Sequence, residues 1–138
     1  MKNGILFIFM GVLATLSSCE KENCIKCQII GNWNIKETRA SFVNGSMTTE
    51  QISNYIADFY ENGKGVYKGA NGISQDSLYW SVDPSATYVF VSLDILSDTL
   101  NRTEQFEIIE FGSEKQLWRN EQIINQSTLK LTWELIKN

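Results

Sequence analysis

Histidine is absent from the 138 residues of this chain. That removes the commonest general base and metal ligand near neutral pH, and with it most hydrolase triads and most zinc sites. There is no Gly-x-Ser-x-Gly step and no glycine-rich phosphate loop. Proline occurs once, and neither a low-complexity segment nor an internal repeat is present. Positive charge is scarce: 12 Lys and Arg face 16 Asp and Glu, a formal charge of −4. An acidic chain repels phosphate backbones, which argues against nucleic acid as a partner and against adhesion to anionic lipid through a basic patch. Carboxylates such as Asp94, Asp98, Glu107 and Glu110 could pair as acid and base, but they read more simply as solvated faces of strands. The chain is read as non-catalytic, with no cofactor and no metal site.

Long apolar runs are also missing, with one exception. Ile5 to Leu16 is apolar apart from small residues and Thr15; Lys2 precedes it and Ser17-Ser18 follows. A membrane-spanning helix needs about 20 apolar residues, so the run is too short for a permanent span and has the form of a signal peptide over residues 1–18. Leu16-Ser17-Ser18-Cys19 resembles the lipobox of bacterial lipoproteins. In that family a peptidase cuts before the cysteine, whose thiol carries a diacylglycerol. The resemblance implies a mature chain that starts at Cys19, outside the cytoplasm and held to a membrane by acyl chains; simple secretion is the alternative. Each buried methylene contributes about 0.8 kcal/mol, so several chains hold far more firmly than one. Removing 18 residues from 138 leaves 120, which suits one domain with one core. The leader carries one lysine and no acid, so the mature charge falls from −4 to −5.

Cysteine is scarce too. Residues 19–27 are short and mainly polar, and read as a tether of about 30 Å when fully extended. Glu20 and Glu22 resemble the acidic export tags of surface lipoproteins in Bacteroidota, or are a solvated linker. Cys24 and Cys27 allow three readings. A redox motif needs a βαβ context that is not visible, and a zinc site needs four ligands. A small disulfide in an oxidising compartment is the expected state, with free thiols as the alternative.

What is present is strand-like. Leu129, Leu131, Trp133 and Leu135 alternate with Lys130, Thr132, Glu134 and Ile136, which sets a core row against a solvent row. Tyr55, Ala57 and Phe59 lead into Asn62-Gly63, and Val66 and Tyr67 follow; this predicts a hairpin with a type I′ turn. Ile29 to Glu37 forms a first strand with Trp33 and Ile35 on one face. Leu78, Trp80 and Val82 precede a turn at Asp83-Pro84-Ser85, and Tyr88 to Leu93 is a dense β-forming run. Further strands fall around Phe106 and Ile108 and around Leu117-Trp118. Residues 48–56 are expected to hold at most a short helix, with Thr48 or Thr49 as its N-cap. About eight strands with hairpin links give an all-β fold, an antiparallel up-and-down barrel or sandwich.

Two of these steps resemble a family. Ile30-Gly31-Asn32-Trp33 resembles the Gly-x-Trp step that opens the first strand of lipocalins. Phe59-Tyr60-Glu61-Asn62-Gly63 resembles the Phe-x-x-Asp/Asn-Gly hairpin of small lipocalin-like lipoproteins of Bacteroidota. The likeness covers about residues 28–137 of a barrel domain over 28–138, and rests on order and spacing together with the lipobox. It implies an eight-stranded antiparallel lipocalin-like barrel with a cup for a small hydrophobic molecule. It also implies a closed end formed at Gly31 and Trp33, with Arg119 stacked on the tryptophan through a cation–π contact.

Phe59, Tyr67, Trp80, Phe90 and Phe106 are the aromatics expected inside, where they either line a ligand cavity or fill it. Asp76-Ser77-Leu78 and Asp98-Thr99-Leu100 look like short O-glycosylation sites of Bacteroidota, or are turn-initiating loop residues. Two functions follow. One is a lipid-anchored module that binds a small apolar ligand at the bacterial cell envelope, on the periplasmic or outer face of the outer membrane. The other is an envelope protein with a filled core that works through protein–protein contacts as an inhibitor, adhesin or assembly factor. Cys19→Ala is expected to move the protein from the membrane pellet to the soluble fraction; retention in the pellet after carbonate washing would refute the anchor.

Overall fold

The inward row of each strand decides this architecture. The computed structural model describes residues 24–69, 75–94 and 102–138. The leader over 1–18, Cys19 with Glu20 and Glu22, and Asp98-Thr99-Leu100 lie outside the described residues. The elements are α1 (Ile25–Ile29), β1 (Gly31–Val43), β2 (Ser46–Phe59), β3 (Lys64–Gly69), β4 (Gln75–Val82), β5 (Tyr88–Asp94), β6 (Arg102–Glu110), β7 (Lys115–Ile124) and β8 (Ser127–Lys137). Trp33, Ile35 and Glu37 are buried in β1 while Asn34 and Lys36 are exposed, and Leu131, Trp133 and Leu135 are buried in β8. One buried row per strand needs a closed surface to face, and the strands supply it. Each pairs antiparallel with the next, and β8 returns to β1, so the eight strands form a closed up-and-down barrel.

Residues 48–56 form strand rather than helix. β2 pairs with β1 from Val43↔Ser46 to Gly31↔Phe59, and the pairing outweighs any local helical tendency. Thr48, the expected N-cap, instead donates from Oγ1 to the Ser41 carbonyl at 3.0 Å, where the β1–β2 register shifts by a bulge. The β1–β2 hairpin turns at Asn44 and Gly45, whose φ values of 51° and 79° are those of a type I′ turn. The β2–β3 link, expected to be type I′ at Asn62-Gly63, is a longer turn. Gly63 N donates to Tyr60 O at 3.1 Å and Tyr60 N to Lys64 O at 2.8 Å, while Asn62 Oδ1 accepts from Lys64 N at 3.0 Å. The β4–β5 turn forms as expected: Asp83 accepts from Thr87 N at 2.7 Å and Tyr88 N at 2.6 Å, and these bonds with Ser85 hold its carboxyl below the usual aspartate range.

Among the described residues the helix is α1, directly before β1. Cys24 and Cys27 are joined by a disulfide, and Cys24 Sγ caps α1 by accepting from Cys27 N at 3.2 Å. Ile29 is fully buried and Ile25 packs against the core, so residues 24–27 belong to the folded cap rather than to the tether. α1 thereby seals one end of the barrel. Trp33 Nε1 donates to the Ile29 carbonyl at 2.7 Å. Gln116 Nε2 reaches Gln28 O at 3.4 Å and Gly112 O at 3.2 Å, and Trp118 Nε1 donates to Gln116 Oε1 at 3.0 Å.

Gly31 begins β1 at φ 139°, and a Cβ there would stand 3.1 Å from Lys137 Cε. The positive φ strains any side chain there, and the Lys137 stem would have to give by a few tenths of an ångström. Gly31→Ala is expected to lower stability by about 1–3 kcal/mol in urea unfolding, without changing the far-ultraviolet spectrum.

Candidate functional site

Inside the barrel the aromatic residues meet one another. From the sealed end upward, Trp80 meets Phe59 edge-on at 5.7 Å between ring centres, and Phe59 meets Trp118 at 5.8 Å. Trp118 stacks on Trp133 at 6.2 Å, Trp133 on Tyr67 at 6.0 Å, and Tyr67 on Tyr55 at 4.6 Å. Phe106 packs against Trp133 at 4.6 Å. Such ring pairs contribute about 0.5–1.5 kcal/mol beyond their buried area. The expected interior residues Phe59, Tyr67, Trp80 and Phe106 are all buried in this column.

Phe90 is not. Val89 and Val91 are buried on either side of it, so Phe90 takes the outer face, opposite Ser81 and Gln105. Tyr88 to Leu93 sets the aliphatic Val89, Val91 and Leu93 against Tyr88, Phe90 and Ser92, so Ser92 alone marks the outer row by residue type.

Arg119 is not the cation at Trp33 either. It lies on the outer face and pairs with Glu107, Nη2 to Oε2 at 3.2 Å. Lys137 takes the place over Trp33: the two are opposed in register, and Nζ stands 5.2 Å from the ring centre. The alternation Trp133, Leu135, Lys137 carried this signal, since it places the lysine in the inward row. Asp76-Ser77-Leu78 lies within β4 rather than in a turn, with Ser77 exposed and Leu78 buried. Of the candidate acid–base carboxylates, Glu107 is in the ion pair with Arg119, Glu110 is exposed, and the Asp94 side chain and Asp98 lie outside the described residues. Among the described residues no group of His, Cys, Asp and Glu is placed to hold a metal ion.

The upper bore changes character. Glu37, in the inward row with Trp33 and Ile35, is buried; its Oε2 accepts from Trp133 Nε1 at 2.8 Å and its Oε1 from Arg39 Nε at 3.1 Å. A buried carboxylate with two donors is satisfied rather than strained. Its signal was the same alternation, read one step beyond Ile35. Burial first, then the Glu37 charge and the neighbouring Tyr55, push the Tyr67 hydroxyl well above the ordinary tyrosine range.

At this end the wall itself opens. β6 and β7 pair at Glu110↔Leu117, Ile108↔Trp118 and Glu107↔Arg119, with a register shift between Ile108 and Glu110 and no pair beyond Arg119. Asn120 Nδ2 bridges to Glu104 Oε2 at 2.8 Å across the gap. A cleft of about 660 Å³ results, walled by Glu104, Glu107, Arg119, Asn120, Glu121 and Ile123. Beyond the barrel rim the β1–β2 and β7–β8 hairpins continue as an apron that carries exposed Val43, Met47, Ile123 and Ile124. Nothing in the sequence marked the cleft, because it arises from a loss of pairing between two segments that both read as strand.

No protein-family model matches the chain, and no curated protein matches it in sequence. The eight-stranded barrel fits a lipocalin-like binding fold.

Because the Tyr67 proton is held more tightly in the folded chain than in the unfolded one, its contribution to stability is whole below about pH 10 and is lost as pH rises above it. Tyr67→Phe is expected to flatten part of the alkaline fall in the urea midpoint, while the neutral-pH midpoint changes little.

Proposed function

We propose that this protein is a lipid-tethered, non-catalytic binding module of the bacterial envelope that works at the open end of its barrel. The family reading is a lipocalin-like lipoprotein of the kind found in Bacteroidota, anchored at Cys19. The observation that carries the proposal is the contrast between the two ends. One end is shut by α1, Trp33 and a ring-packed bore. The other presents a split wall and exposed Met47, Ile123 and Ile124. Apolar side chains gathered at one rim favour a partner surface, the second of the two functions raised by the sequence. The small-ligand reading is favoured by a narrower observation. Tyr55, at the top of the ring column, and Leu129, in the inward row of β8, are only partly buried and offer an apolar mouth.

A photoreactive phenylalanine placed at Met47 or Ile123 is expected to give envelope adducts, whereas one at Ile109, toward the sealed end, gives none. Adduct masses of protein size support the partner surface, and masses of a few hundred daltons support the mouth. Adducts at Ile109 alone, or at none of the three, would overturn the reading.

A further inference from the structure

β6 and β7 remain regular strands where they part, and each keeps one edge without a partner strand. β6 pairs with β5 along Arg102–Glu107, and β7 pairs with β8 along its whole length from Lys115 to Ile124. Their other edges, Arg102–Phe106 and Asn120–Ile124, face each other across the cleft without pairing. In a strand, alternate residues direct their N–H and C=O groups to the same edge, so both rims of the cleft offer backbone donors and acceptors to whatever enters. Proteins usually blunt such edges with proline, charged side chains or a bulge. The β7 edge has no proline and no lysine, its charge is Glu121, and it ends on Ile123 and Ile124 at 73 and 60 % exposure.

The walls also have a sign. Glu104, Glu107 and Glu121 line the cleft with Arg119. Arg119 is already paired with Glu107, and Glu121 with Lys130 of β8 at 3.4 Å on the outer face. Glu104, in the inward row with Phe106, is held by the neutral amide of Asn120. A strand entering between the edges would therefore face a carboxylate on its inward side and Ile123 on its outward side.

We propose that the cleft receives an extended peptide segment bearing lysine or arginine, by addition of a strand between β6 and β7. This rests on the open end being the working surface and names the occupant of its cleft. Five residues of free β7 edge span about 17 Å, so the recognised segment is about five residues long. It carries a basic side chain toward Glu104 and apolar ones toward Ile123, an alternation that matches the two faces of a strand.

The test uses the full-length lipoprotein in a neutral detergent with labelled Thr-Lys-Val-Lys-Val-Thr, its glutamate counterpart, and a fully N-methylated lysine peptide. The lysine peptide is expected to bind and to slow hydrogen exchange at 102–106 and 120–124 by about tenfold or more. Glu104→Gln should weaken that binding by about tenfold, with the fold intact by circular dichroism. The glutamate and N-methylated peptides should neither bind nor protect. Absence of protection by the lysine peptide, or equal binding by the N-methylated one, overturns strand addition. Either failure alongside open-end adducts at Met47 would leave the wider reading standing and remove only this one.

Discussion

The barrel depends on how Trp33 is held. Its indole donates to the last carbonyl of α1, its ring lies beneath the Lys137 ammonium, and its strand is opposed to the final strand at that same residue. One side chain thus ties the cap, the first strand and the last strand together. The cap and the first strand adjoin, but the last strand is far from both in the chain, so the contact closes a long loop whose entropy must be offset by dense local packing. Gly31 is what lets this happen. With no Cβ, the chain can turn from the helix into β1 while the Lys137 stem passes close by and reaches back toward the Ile30 carbonyl.

Above that anchor, the interior is organised by polarity. Four indole nitrogens are buried or partly buried, and each has an acceptor: Ile29 O, Tyr60 and Lys64 O, Gln116 Oε1 and Glu37 Oε2. The acceptors pass from backbone and amide low in the barrel to a carboxylate high in it. The low part resembles a packed core. The high part carries the buried polar groups Glu37, Tyr67 and Asn120, with the exposed Arg39 beside them. Packing density and chemical opportunity therefore separate along the barrel axis rather than between inside and outside.

Much of the fold was legible because period-two alternation is a local property. β8, β4 and the first half of β1 could be read residue by residue, and the inward positions of Trp33, Trp80 and Phe106 followed. Of β2 only the end from Tyr55 to Phe59 was legible. Its distal half is exposed on both faces, so no alternation distinguishes it from a helical turn. The Asn44-Gly45 step was a usable hairpin signal for that region. Phe90 was misplaced because two aromatics dominate its row, and only Ser92 marks that row as the outer one. Arg119 was placed at Trp33 by analogy, while parity along β8 points to Lys137. The β6–β7 cleft is a different kind of feature. It depends on two distant segments failing to meet, and no single segment encodes that.

The cap has one more consequence, which concerns direction. α1 and its disulfide bring the chain's entry point to the sealed end, leaving residues 20–23 between the cap and the proposed acyl anchor at Cys19. The five Cα–Cα steps from 19 to 24 reach at most about 17 Å. With so short a leash attached at its base, the barrel would stand on the bilayer like a cup on a table. Its mouth, apron and split wall would point away from the lipid, toward whatever the surrounding compartment contains.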